Sequence, residues 1–312
     1  MAMYDGVEAS DIGLTFEDRA EKLASLLSEQ YGRAVSPNMR TAMTGENTSD
    51  LIQAAVDSVQ LPDLLEPTEE DILRVCEDFP DLTEEEIMNE WETIQDIYLD
   101  QLSALSMRNV LTGIYEDPAA RGVKFEDDAV FYNSNNVTIY EIAAMLCYPF
   151  SALTLVKQRD KAYELTLKYM GAAKRTDDKS DAFRHAILCI TMAKEGWGLK
   201  KHKLGWAAAF STAHEAGSKY EGTPSEMDLH NNNVGLRYYD SAASKKYTKI
   251  LWFKIETGVS EPSYDTAAKA MKPKAVNAYF VDRALPAGTA KTQIRAIHAD
   301  EMVYIIPDAN TY

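Results

Sequence analysis

The stretch Thr83-Glu84-Glu85-Glu86-Ile87-Met88-Asn89-Glu90-Trp91-Glu92-Thr93-Ile94-Gln95-Asp96-Ile97-Tyr98 decides the fold class. Thr83 and Glu86 have the spacing of a capping box, in which each side chain satisfies a backbone amide left open at a helix start. The three glutamates fall in the first turn, where the helix dipole favours negative charge. Behind them Ile87, Trp91, Ile94, Ile97 and Tyr98 recur at helical spacing and form a stripe for burial. The same start signals precede two other segments. Thr15-Phe16-Glu17-Asp18 opens an apolar-periodic stretch to Tyr31, and Thr68-Glu69-Glu70-Asp71 opens a second helix.

Working outward, residues 121–137 read as a loop or short hairpin, rich in Asp, Asn and Ser. Helix resumes over 139–146 and stops near Pro149, since the residue before a proline is pushed out of helical geometry. It continues over 152–170. After a polar break at 171–179, Ser180 begins a helix that Gly196-Trp197-Gly198 ends. Residues 206–216 form an Ala-rich helix. Thr223-Pro224-Ser225-Glu226 starts the next one, with Thr223 as cap and Pro in the first turn. Residues 250–255 and 302–306 have the composition of short strands, and 265–271 reads as helix. The fold expected is mainly α and bundle-like, with a small β element near the C-terminus. Three regions are expected: an acidic helical region (1–150), a helical motif-bearing core (151–245) and a mixed C-terminal segment (246–312).

The 312 residues carry 49 acids and 32 Lys plus Arg, for a net charge of −17. The charge is uneven. Residues 1–150 hold 31 acids and 8 bases, −23, while residues 151–312 hold 18 acids and 24 bases, +6. The acidic half should repel nucleic acid and anionic lipid. Its expected partner is another protein or the chain's own basic half. No nucleic-acid partner is expected. No apolar run reaches the eighteen or so residues of a membrane span. Three widely spaced cysteines (Cys76, Cys147, Cys189) suggest core thiols and no disulfide frame. The start Met1-Ala2-Met3-Tyr4-Asp5 has neither a basic stretch nor an apolar core. Synthesis in the cytoplasm is expected, followed by non-Sec delivery or association with a particle.

Four of the five histidines lie between 185 and 230. Asp181 and His185, four residues apart, project from one helical face, which Leu188 and Met192 continue toward the interior. Burying a carboxylate and an imidazole there is costly unless they pair or hold a metal. His214-Glu215 ends the next helix, where the dipole raises the basicity of a carboxylate, as suits a general acid or base. Asp228, Asn231 and Asn232 share a face with Gly235, a position that admits a close-approaching backbone or ligand. His230 lies on another face, as a core or surface histidine. Arg184 is either an anion binder or an ordinary ion-pair partner. The ligand pool is Asp181, His185, His214 and Asp228. His185, His214 and Glu215 are the catalytic candidates, with Glu215 as base. Arg184, Asn231 and Asn232 are the substrate-contacting candidates. Mixed nitrogen and oxygen donors suit zinc or manganese better than calcium. The zinc-protease helix, the nucleophile elbow, phosphate-binding glycine loops and Cys-x-x-Cys are all absent.

The blocks Asp181-Ala182-Phe183-Arg184-His185-Ala186, Ala213-His214-Glu215 and Met227-Asp228-Leu229-His230-Asn231-Asn232, with Gly235, resemble an uncharacterised helical domain of bacterial secreted and polymorphic-toxin-like proteins. The resemblance covers about residues 150–240. The chain departs from that pattern at Ile187-Leu188, where the family carries Tyr-Trp. The resemblance implies an effector-like, delivered protein with hydrolytic activity. Two functions are therefore expected as alternatives. One is a hydrolase of a lipid or cell-wall ester, phosphoester or amide, with or without a metal. The other is a non-enzymatic subunit of a larger bacterial or phage assembly, its polar cluster a buried hydrogen-bond network.

Overall fold

A computed structural model describes residues 4, 7–116, 136–172, 175–216, 222–250 and 253–306. The chain is mainly helical, with three two-stranded pairings among the described residues. It divides into two compact units, the first comprising 1–153, 197–199 and 245–259 and the second comprising 154–196, 200–244 and 260–312.

In the first unit, α1 (Phe16–Tyr31), α2 (Gly45–Asp57), α3 (Glu69–Asp78), α4 (Glu84–Asn89) and α6 (Ile139–Cys147) each start on a threonine that closes a capping box. The partners three residues on are Asp18, Asn47, Asp71, Glu86 and Glu141. α5 (Trp91–Glu116) and the single turn α7 (Pro149–Ala152) are the other α-helices among this unit's described residues. The helix expected to run unbroken from Thr83 is instead two. α4 ends at Asn89, Glu90 leaves helical geometry (φ −96°, ψ 14°), and α5 restarts at Trp91. The stripe survives the break. Ile87, Trp91, Ile94 and Tyr98 are buried with Leu64 and Val75, and the Trp91 indole donates to the Leu64 carbonyl at 3.1 Å.

β1 (Arg40–Thr44) pairs antiparallel with β2 (Asn136–Thr138). The loop or hairpin expected over 121–137 lies mostly outside the described residues. β3 (Ser244–Ile250) and β4 (Phe253–Ser260) pair as a two-stranded sheet, so the single strand expected at 250–255 is divided between the end of one strand and the start of the next, with 251–252 outside the described residues. Ile255 of β4 packs on Ile72 and Met88.

In the second unit, α9 (Lys179–Glu195) is the central element. It packs against α8 (Leu155–Met170), α10 (Lys200–Ala216), α11 (Thr223–Ala242) and α12 (Tyr264–Val276). From Ser180 to Ala193 most of its residues are buried on every side, as expected of a helix surrounded by others. Asp178 caps it, accepting from the Ser180 and Asp181 amides at 2.8 and 3.0 Å. α11 begins on Gly222, and Thr223, expected as its cap, is already helical. Behind α11, α13 (Ala287–Ala296) joins two short parallel strands, β5 (Tyr279–Phe280) and β6 (Val303–Tyr304). Met227, Val281, Ala290, Ile294, Val303 and Ile305 form their core. No described helix is long and apolar enough to cross a membrane, and the three cysteines are free thiols.

Candidate metal centre

Two helices bring the site together because one residue lacks a side chain. A Cβ on Gly235 would lie 2.2 Å from the Ala186 carbonyl oxygen, so only glycine lets α11 lie against α9 at this depth. The backbone contact faces Asp228 and Asn232 toward Asp181 and His185. Asp181 sits in the first turn of α9, where the dipole favours a carboxylate. His185 follows one turn later on the same face.

His185 Nε2 lies 3.3 Å from Asp181 Oδ1 and 3.3 Å from Asp228 Oδ1. A ring N–H can point at only one acceptor; Asp228 Oδ1 is buried without a hydrogen-bond partner, while Asp181 Oδ1, also buried, has the Arg184 guanidinium beside it. One atom from each of Asp181, His185 and Asp228 lies within 4.8 Å of the others, the spacing of donors around one ion. On the far side of the ring, Nδ1 is 3.3 Å from Asn232 Oδ1 and 4.0 Å from Glu215 Oε1. The Asn232 acceptor favours, in the neutral ring, the tautomer with hydrogen on Nδ1, which leaves the Nε2 lone pair directed at the two aspartates. Asp181 also pairs with Arg184 and accepts from the Asp177 amide through Oδ2. Asp177 in turn pairs with Arg283 at 3.1 Å.

The charges do not cancel. Asp177, Asp181, Glu215 and Asp228 face Arg184 and Arg283, two negative charges in excess if His185 is neutral. Protons fill that gap in the ion-free chain. Burial pushes the His185 pKa down, but the charges of Asp228, Asp181 and Glu215 outweigh it and lift the imidazole to about 10. Burial, with the neighbouring Glu215 and Asp181, lifts Asp228 to about 8 against the pull of His185. Asp177 is raised too, by burial and by Asp181. Asp181 alone is held low, because His185 and Arg184 outweigh its burial.

The sequence-derived candidates separate in space. Asp181, His185 and Asp228 converge, with Glu215 buried beside them. His214 does not join them. It is exposed on α10, because adjacent helical residues point about 100° apart and Glu215 takes the inward position. Glu215 Oε1 faces Nδ1 at 4.0 Å, too far for a hydrogen bond, and Asn232 Oδ1 at 3.3 Å is the group that holds the ring. Asn231 is buried against the backbone of Val303. Arg184 binds Asp181 and donates to the Arg175 carbonyl at 2.7 Å, as an ion-pair partner. His230 bonds the Glu301 carbonyl at 2.7 Å. Asp177 was missed from sequence. Its role depends on a turn geometry that no pattern of residue types announces.

Residues 142–261 match the family described as Domain of unknown function (DUF6973). The matched stretch, less than half of the 312 residues, contains Asp181, His185, Glu215, Asp228 and both buried asparagines. It encloses the 150–240 region whose motifs drew attention in the sequence and stops short of β5 and β6. No curated protein matches the chain.

Proposed function

We propose that the second unit holds a divalent metal, zinc or manganese, and uses it to activate water for hydrolysis. The observation that carries this reading is the convergence of two buried carboxylate oxygens, Asp181 Oδ1 and Asp228 Oδ1, on one imidazole nitrogen at 3.3 Å each, with no hydrogen bond reaching Asp228 Oδ1. One divalent ion supplies the two positive charges that the cluster lacks and gives Asp228 Oδ1 a partner. A sealed hydrogen-bond network, the alternative, would not leave that oxygen orphaned.

Three protein donors leave a coordination position open, as in hydrolytic zinc sites, where the ion brings the pKa of its water near 7. Asn232 orients His185 from behind. Arg184, fixed on the oxygen of Asp181 that faces the ion, stands where negative charge builds on a substrate carbonyl or phosphoryl oxygen. The bond cleaved belongs to an ester, phosphoester or amide. Delivery as a bacterial effector acting on lipid or cell wall is part of the same proposal and rests on the motif resemblance.

The test is hydrolysis of chromogenic carboxylic esters, phosphomonoesters and phosphodiesters by the full chain, loaded with zinc or manganese, beside the chelated chain and Asp228→Ala. Turnover of one class that needs the metal and disappears in the variant supports the reading. Metal uptake with no turnover across substrate classes, including lipid and peptidoglycan preparations, overturns the hydrolytic part and leaves a metal-binding structural site.

A further inference from the structure

Strand β6 is gripped from both helices that carry the candidate ligands. On α11, the fully buried Asn231 closes a two-bond ring on Val303, its amide donating to the Val303 carbonyl at 2.9 Å and its Oδ1 accepting from the Val303 amide at 3.0 Å. His230 bonds the Glu301 carbonyl just before the strand. Ahead of α9, the Asp177 carbonyl accepts from both the Ile305 and the Ile306 amides at 2.9 Å. Asp177 is the one non-glycine with positive φ among the described residues, at +66°. That left-handed turn lets its amide donate to Asp181 Oδ2 while its carbonyl faces β6.

The grips sit one helical turn from the ligands. Asp177 precedes Asp181 by four residues, and Asn231 follows Asp228 by three. A pairing of two-residue strands is weak on its own, so the side-chain and turn contacts fix where β6 lies. We propose that Asp177 and Asn231 are positioning residues that, acting through β6, hold Asp181 and Asp228 at the separation where both meet one divalent cation. The inference rests on the metal reading above and extends it to a strand outside the matched domain. It also divides the Asn231-Asn232-Asn233 run: one amide holds β6, the next holds His185, and Asn233 is exposed.

The experiment is zinc affinity of the full chain by competition with a chromogenic chelator, beside the visible spectrum of the cobalt-substituted protein. Asn231→Ala removes the ring on Val303. Asn231→Asp is isosteric, keeps the acceptor for the Val303 amide and sets a carboxyl oxygen where the donor to the Val303 carbonyl stood, so it leaves no cavity where the alanine variant does. Asp177→Val places a β-branched residue where φ is positive, while Asp177→Gly keeps the turn and its amide. Ile294→Val, in the same core, is the destabilised control.

Loss of supporting residues around a metal costs about 10- to 100-fold in affinity. That loss, with a shifted cobalt band, is expected for Asn231→Ala, Asn231→Asp and Asp177→Val. Ile294→Val should keep the wild-type affinity and spectrum; Asp177→Gly, which keeps the turn but loses one carboxylate, should lose less affinity than Asp177→Val and keep the wild-type spectrum. Wild-type affinity and spectrum in Asn231→Asp and Asp177→Val overturn the positioning role while leaving the metal site standing. A wild-type chain that takes up no zinc overturns the metal reading itself.

Discussion

Gly235 and Ala186 meet backbone to backbone. A methyl group on Gly235 would fall 2.2 Å from the Ala186 oxygen and 2.8 and 2.9 Å from its carbonyl carbon and Cα. No side chain can swing aside to relieve that clash, so the helices must part. Gly235→Ala should destabilise the second unit by about 3 kcal/mol or more, the upper range for overpacking. It should also weaken metal uptake, because His185 and Asp228 sit on the separated helices. Urea unfolding monitored by tryptophan fluorescence reads the first effect. An unchanged midpoint would mean that the two backbones are not in contact.

Asp228→Asn separates stability from binding. In the ion-free chain Asp228 is raised to about 8 by burial and its acidic neighbours, so at neutral pH it carries a proton and an amide replaces it without loss of favourable charge. Thermal unfolding in chelator should show the variant within about 0.5 kcal/mol of the wild type or more stable, while stabilisation by added zinc disappears. A variant that melts far earlier in chelator would show the ionised carboxylate already contributing without metal.

The pH dependence has opposite signs without and with the ion. His185 and Asp228 are held at about 10 and about 8, against ordinary values of 6.5 and 3.8. A folded-state pKa raised above its unfolded value means the native chain binds more protons between the two. Their contribution to stability is present below the unfolded values and is lost as pH rises through the folded ones. Asp181, held low, stays ionised across this window. The chelated chain should therefore lose stability from pH 6.5 to 9. Metal displaces those protons, so affinity should rise with pH and about two protons should leave per ion near neutrality. Calorimetric titration in two buffers of different ionisation enthalpy counts them, and release of none would contradict the charge balance.

Thr138 is a fully buried helix cap whose box partner, Glu141, is also buried. Thr138→Ala should cost about 1–2 kcal/mol, the upper end for lost caps. The loss belongs to the first unit, so zinc affinity should stay at the wild-type value. Equal losses of stability and affinity would show that the site depends on that unit's integrity.

Local chemistry made much of the fold legible. The caps Thr15, Thr68 and Thr83 mark helix starts to the residue, because a capping box is complete within four positions. β1 and α2 went unread, since the box at Thr44 closes on the uncharged Asn47, where each box that was read closes on Asp or Glu. The break at Glu90 was also hidden, because glutamate is a good helix former and only tertiary packing divides α4 from α5. At the site, i, i+4 spacing paired Asp181 with His185 and pointed to Gly235 as a close-approach position. It did not place His214, because counting histidines says nothing about which face each occupies. Asp177 and the hold of Asn231 on Val303 link positions 72 or more residues apart, or depend on one backbone angle, and no local pattern carries either.

The central claim is tested most directly by elemental mass spectrometry of the purified full chain, beside Asp181→Ala and His185→Ala variants shown by circular dichroism to be folded. One divalent ion per wild-type chain, retained or taken up on incubation with zinc or manganese and missing from both variants, is the predicted result. A folded wild-type chain that holds no ion under either treatment would contradict it and leave Asp181, His185 and Asp228 as a buried polar network.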